Sequence, residues 1–168
     1  MKDSEQPQFD SASPDLLKSI ETMATRLRRH SLTSTTAAGS GHPSSCFSCA
    51  ELISALFFHF LRFDVAQPDS PYNDRFVLSK GHGAMAQYAI LEELGIISPE
   101  DLDQCGQTGG KLGMHPDYGQ PGIEASTGSL GHGLPIALGM ALADKVLKVD
   151  RTVYVVLSDG ELQEGSNW

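Results

Sequence analysis

The run Val153-Tyr154-Val155-Val156-Leu157 passes without a break into Ser158-Asp159-Gly160-Glu161. Its β-branched, apolar composition predicts a buried strand of a parallel sheet over residues 152–157. In an open α/β sheet, ligands bind beyond the carboxyl ends of the strands. A carboxylate at such an end can hold Mg²⁺, which is usually bound by one or two carboxylates plus phosphate oxygens. Gly160 lets a phosphate approach the backbone closely. A plainer alternative stays open at this point, with Asp159 as an ordinary helix cap at a strand-to-turn junction.

The 168 residues, 40% of them apolar, suffice for one domain with a real core. A net charge of −9 argues against nucleic acid and anionic membrane as partners. An anionic cofactor is still compatible, because backbone N–H groups and a metal supply local positive potential. Residues 1–13 are polar, lack the apolar core of a secretory signal, and read as a disordered lead-in. No apolar run reaches the length a membrane span needs. Three cysteines, Cys46, Cys49 and Cys105, are too few for a disulfide framework, and a cytoplasmic setting is the simplest expectation.

Hydrophobic periodicity predicts a helix over 14–30, opened by Ser13-Pro14, and a second over 46–61, apolar nearly all round. Residues 33–43 form a small-residue segment. A turn at 70–73 leads to a strand at 75–78. His82 stands between Gly81 and Gly83, and a helix runs from there to Leu94, stopped by Gly95. Ser98-Pro99-Glu100 starts another helix. Residues 106–127 are a Gly/Pro-rich loop of a length that is usually functional or disordered. A helix over 130–147 precedes the last strand. The alternation predicts an α/β domain with a largely parallel sheet flanked by helices, incomplete at its C-terminus because the last strand has no following helix. The expectation is that the molecule continues beyond Trp168 or that a partner completes it.

Three further patterns bear on chemistry. Ser126-Thr127-Gly128-Ser129-Leu130-Gly131-His132-Gly133 opens a helix with small residues that leave N–H groups free for an anion, or simply permits close helix packing. It is neither a dinucleotide fingerprint nor a Walker A loop. Of six histidines, His42, His82, His115 and His132 each adjoin Gly or Pro, which suggests a shared pocket. No pair has the spacing of a zinc helix. Cys46-Phe47-Ser48-Cys49 is formally C-x-x-C, but it enters an apolar helix and reads as two half-buried thiols rather than a redox pair. Phe57, Phe58, His59, Phe60 and Phe63 read most simply as core, with His59 a satisfied or interface histidine. Asp144, Lys145, Lys148, Asp150 and Arg151 read as solvated surface.

In order and spacing these motifs resemble those of the transketolase family from Pro14 to Trp168. The segments that carry the resemblance are Thr35-Thr36-Ala37-Ala38-Gly39-Ser40-Gly41-His42-Pro43, Asn73-Asp74-Arg75-Phe76-Val77-Leu78-Ser79-Lys80-Gly81-His82, Met114-His115-Pro116, Thr127-Gly128-Ser129-Leu130-Gly131 and Asp159-Gly160-Glu161-Leu162-Gln163-Glu164-Gly165. The resemblance implies a thiamine-diphosphate-binding fold, with residues 14–168 as the N-terminal pyrophosphate-binding domain. It implies an enzyme that moves a two-carbon ketol unit from a ketose phosphate to an aldose phosphate, in which the cofactor carries the carbanion chemistry.

Carried over by motif, Asp159 ligates Mg²⁺ or Ca²⁺, and Gly160 contacts the diphosphate. Gly128, Ser129 and Leu130 line the cofactor, His82 meets its diphosphate side, and Ser45 touches it as well. His42 and His115 face the sugar hydroxyls. Glu164 matches an acidic position near the family's dimer contact that couples two sites. Two positions depart from the pattern: Ser158 replaces the usual Gly before the Asp, and His132 stands where many relatives have Gln. The motif's later Asn and the glutamate that activates the aminopyrimidine would lie beyond Trp168. The resemblance therefore implies a partner, either the C-terminal portion in cis or a second chain, in a homodimer or heterotetramer. Other thiamine-diphosphate-dependent ketol or acyl transferases, and a non-catalytic relic or partner protein, are the alternatives.

Overall fold

A computed structural model describes residues 13–168. The disordered lead-in expected at the N-terminus falls, but for Ser13, outside the described residues. The first helix, α1 (Pro14–Ala38), is capped by Ser13, whose Oγ accepts from the Leu16 N–H at 3.2 Å. Ala24, Leu27, Ser31, Ser34 and Thr35 form its buried stripe. The helix runs past residue 30, where the periodicity placed its end. Thr33, Thr35 and Thr36 turn their hydroxyls back onto carbonyls of the preceding turn, which lets a β-branched run continue the helix. Gly39 ends it at a φ of +63°.

The single helix expected over 46–61 is three pieces: α2 (Pro43–Ser48), α3 (Ala50–Ala55) and a π turn over Leu56–Phe60. The break at Cys49 has a cause. A continuous helix needs the Ser45 carbonyl to accept from the Cys49 N–H. That carbonyl instead accepts from Lys80 Nζ at 2.9 Å and the Cys49 thiol at 3.3 Å, and the Cys49 N–H turns to Cys46. The aromatic run is not all core, since Phe58, His59 and Phe60 are exposed while Phe57 packs edge to face against Phe63 and Phe76.

Strands β1 (Arg75–Leu78) and β2 (Val153–Val156) pair in parallel, with Leu78 opposite Val156. Phe76, Leu78, Tyr154 and Val156 face a core built with α1, α3 and helix α4 (Ala84–Glu93), which is buried from Ala84 to Leu91. Val153 and Val155 face the other way, toward Leu134, Ala137 and Leu138 of α6 (Gly133–Leu147). The period-2 alternation thus puts helices on both faces. Between α4 and α6 lie the short helix α5 (Pro99–Asp103), capped by Ser98, and then the long loop. The loop is tied down by buried Leu112, Pro116 and Ile123, and by the Tyr88 hydroxyl donating to the His115 carbonyl at 2.7 Å.

One stretch expected to be surface is not. Asp144 is buried and accepts from Arg151 Nε at 2.7 Å, while Arg151 also reaches the Pro71 carbonyl. The pair fastens the end of α6 to the entry of β2.

Candidate functional site

Both strands release their chains at the same end of the sheet, and the two loops that follow meet there. After β1 come Ser79, Lys80, Gly81 and His82. After β2 come Ser158, Asp159 and Gly160. A third loop, 126–131, is drawn against them by the Thr127 hydroxyl, which donates to the Leu78 carbonyl at 2.6 Å. Backbone approaches backbone here, since a Cβ on Gly81 would stand 2.5 Å from the Gly128 nitrogen.

The three loops and the start of α2 surround an open cleft of about 340 Å³. Ser45, His82, Leu130, Asp159 and Gly160 line it, all five singled out from the sequence. Asp159 is exposed and stands at the N-cap position of the short 3₁₀ turn Gly160–Gln163, but its side chain makes no capping bond there. A Cβ on Gly160 would meet only open space, so bare backbone faces the cleft. His42 stands next to this group, with its ring 5.6 Å from that of His82. Burial first, then the charges of Lys80 and His42, hold His82 below the usual histidine range.

Other expected residues sit around the cleft rather than in its wall. Gly128 and Ser129 belong to the adjoining loop, and Gly128 has a φ of +139°. A Cβ there would lie 2.7 Å from His115 Cδ2, so the His115 ring rests on a surface that only glycine leaves clear. His115 itself is exposed. His132 turns outward, with Nδ1 3.1 Å from the Ser129 carbonyl oxygen. Glu164 is exposed outside the cleft, its Cβ close to Gly131. Among the described residues the four Gly/Pro-flanked histidines form no metal-ligand group. The one such group is His30 with Glu92 and Glu93, where Arg26 also pairs with Glu93.

The structure adds residues that sequence reasoning passed over. Lys80 is buried in the cleft wall, with Nζ donating to the Ser45 carbonyl and to Ser48 Oγ, both at 2.9 Å. Ser44 and Ser48 contribute further hydroxyls. Glu161, fully buried, ties the loops together behind Asp159. The spacing Ser158-x-x-Glu161 is the one sequence signal that could have found it. A cation, several hydroxyls, a half-buried imidazole, bare backbone and one exposed carboxylate form a donor set suited to a phosphate group with a divalent cation. Transition-metal sites use softer or more numerous ligands. The C-x-x-C pair takes no part: Cys46, within α2, and Cys49, at its C-terminal end, are buried free thiols that do not line the cleft.

Residues 19–168 match the family described as "Transketolase, thiamine diphosphate binding domain". Human transketolase is 46% identical over 153 residues, covering 90% of this chain and 25% of that protein. One subunit of the apulose-4-phosphate transketolase of Phocaeicola vulgatus is 45% identical over 129 residues, covering 77% of this chain and 46% of that protein. Transketolase from Campylobacter jejuni superposes with a TM-score of 0.84 at 32% identity, over 93% of this chain and 25% of that one. For transketolase from Leishmania mexicana the TM-score is 0.83 at 33% identity, over 93% and 24%. The chain spans about a quarter of the length of the curated transketolases it matches.

Proposed function

The chain belongs to the transketolase family, over its thiamine diphosphate binding domain, and on that footing we propose that the strand-end cleft receives the diphosphate of thiamine diphosphate together with a divalent metal ion. The α/β thiamine-diphosphate-binding fold expected from the sequence is the fold of its structural relatives. What carries the reading is one juxtaposition: the exposed carboxylate of Asp159, which has no partner among the described residues, and the bare backbone of Gly160 open onto the same cleft as Ser45, Lys80 and His82.

In this reading Asp159 holds Mg²⁺ or Ca²⁺, and Gly160 and Ser45 meet phosphate oxygens. His82, held below the usual histidine range first by burial and then by the charge of Lys80, offers a ring N–H as a donor. Gly128, Ser129 and Leu130 form the wall beside the cofactor. His42 and His115, exposed at the rim, orient sugar hydroxyls and move protons. Glu164, on the outer surface, serves a contact between subunits. When bound, thiamine diphosphate supplies the carbanion-stabilising chemistry.

The whole enzyme then transfers a two-carbon ketol unit from a ketose phosphate to an aldose phosphate, with residues 14–168 as its N-terminal pyrophosphate-binding domain. The remaining parts come from a C-terminal portion in cis or from a second chain, in a homodimer or heterotetramer. The Phocaeicola vulgatus relative, named as one subunit of its enzyme, supports the split arrangement, and this chain spans a larger share of it than of the full-length transketolases. Three buried free cysteines fit a reducing, cytoplasmic setting. Among the described residues no helix is long and apolar enough to cross a membrane.

The test is calorimetry on the complete enzyme. Asp159→Ala should abolish the metal-dependent binding of thiamine diphosphate. Binding as tight as the parent's would remove Asp159 from the metal site.

A further inference from the structure

Glu161 is a charged residue type with no exposed surface, set two positions after the metal-site carboxylate. Such burial is costly unless the group is fully hydrogen-bonded. Three donors converge on it. The Ser79 hydroxyl donates to Oε1 at 2.6 Å, the Gly131 N–H donates to the same oxygen at 3.0 Å, and the Ser158 N–H donates to Oε2 at 3.2 Å. These donors belong to three different loops: the one after β1 that bears His82, the one before α6 that bears Gly128 to Leu130, and the one after β2 that bears Asp159.

Ser158 returns the contact. Its Oγ accepts from the Glu161 N–H at 3.3 Å, so Ser158 and Glu161 form a reciprocal capping box around Asp159 and Gly160. The Asn167 side-chain amide donates to the Glu161 carbonyl and closes the turn from behind. This accounts for the one departure in the metal motif. The residue before Asp159 does not need the freedom of glycine, because Lys148 is the only non-glycine residue of positive φ among the described residues. A serine there adds a bond that glycine cannot make.

We propose that Glu161, with Ser158 as its reciprocal partner, is the positioning residue that sets the three cofactor loops in register, and that Ser158 specialises this chain's metal loop by closing the box. The proposal rests on the thiamine diphosphate reading for the identity of the ligand, but the clamp itself is a property of the protein. Only a carboxylate can receive all three donors. In Glu161→Gln one side-chain oxygen is replaced by an NH₂ group, which must face either the Ser158 N–H or the Ser79 and Gly131 donors. The side-chain volume is unchanged, so a role in packing alone would tolerate the substitution.

The experiment uses the complete enzyme as parent, Glu161→Gln and Ser158→Gly. Thiamine diphosphate affinity is measured with Mg²⁺ by calorimetry, kcat is measured at saturating cofactor, and amide exchange over residues 128–133 and 157–161 is followed without cofactor. Glu161→Gln should weaken cofactor binding roughly ten- to a hundredfold, as loss of a buried bond to a charged group does. Exchange should quicken in both segments, while kcat at saturation holds. Ser158→Gly should give a smaller loss of affinity, with faster exchange confined to 157–161.

Unchanged affinity together with unchanged exchange in Glu161→Gln would overturn the clamp, and so would a loss of kcat with no loss of affinity. If Glu161→Gln does not fold, Ser158→Gly decides, and parent-like affinity and exchange in that variant sink the proposal. If the parent itself binds no thiamine diphosphate, the functional reading fails, and the exchange pattern alone judges the clamp.

Discussion

The imidazole rings of His42 and His82 meet edge to face with centroids 5.6 Å apart, one at the entry to α2 and the other just past β1. The groups whose charges act on His82 are Lys80, His42 and His115, which disfavour a proton there, and Glu161, which favours one. Burial outweighs each of them, and the net direction is downward from the reference value of 6.5.

A pH dependence follows from that direction. The folded pKa of His82 lies below its unfolded value, so the unfolded chain takes up the proton first as pH falls. The associated stability is complete above about 6.5 and is lost as pH drops from there toward the folded value. Urea midpoints measured on either side of this window should fall toward acid, and His82→Gln should flatten that part of the profile. A steeper acid loss in the variant than in the parent would contradict the assignment.

His42→Ala and His115→Ala in the complete enzyme should lower turnover by about 10²–10⁴, the usual contribution of positioned acid–base groups, and lower cofactor affinity much less. Both side chains are exposed at the rim and outside the cleft wall. Steady-state kinetics beside cofactor calorimetry separates the two effects. Equal losses in both would move these histidines to the diphosphate side.

Two glycines should behave in opposite ways. Gly81→Ala places a methyl 2.5 Å from the backbone of Thr127 and Gly128, which cannot yield cheaply, and should cost about 1–3 kcal/mol of stability. Gly160→Ala meets nothing and should leave stability within about 0.5 kcal/mol of the parent. Gly160 lines the cleft, so on the proposed reading an added methyl should lower cofactor affinity. Chemical denaturation and calorimetry on the pair check both statements, and a stable Gly81→Ala would show that the two loops are not in contact.

The thiols should be inert in the native protein. Burial pushes Cys49 up to about 11 and Cys105 up to about 12, and it raises Cys46 as well. A thiol reagent at mildly alkaline pH should label none of the three until denaturant is added, and should then label all of them. Rapid native labelling of Cys46 or Cys49 would reopen the redox reading of the C-x-x-C pair.

Strand ends and glycine loops were legible in the sequence because their signals are local. Leu78 and Leu157 close apolar runs, and Gly81, Gly128 and Gly160 mark backbone that must approach something closely. The break in the second helix was not legible. It depends on Lys80, 35 residues away, taking the Ser45 carbonyl. Asp144 and Arg151 read as surface because charge is normally solvated, and only the fold shows them facing each other. Glu161 occupies the middle ground. The capping-box spacing was visible, but the bonds to Ser79 and Gly131 exist only once β1 and β2 lie side by side.

That side-by-side pairing is in register, with Arg75 opposite Val153 and Leu78 opposite Val156. The two loops that meet at the cleft therefore leave the sheet at one level, and the distance between them is fixed by residue count rather than by any single bond. A residue inserted into β2 would turn Val153 and Val155 toward the α1–α4 core and swing Asp159 away from His82. A residue inserted near Gly109 or Gly119, where an added Cβ would meet nothing, would do neither. Length variation in descendants of this chain should accordingly collect in the long loop and be purged between 153 and 161.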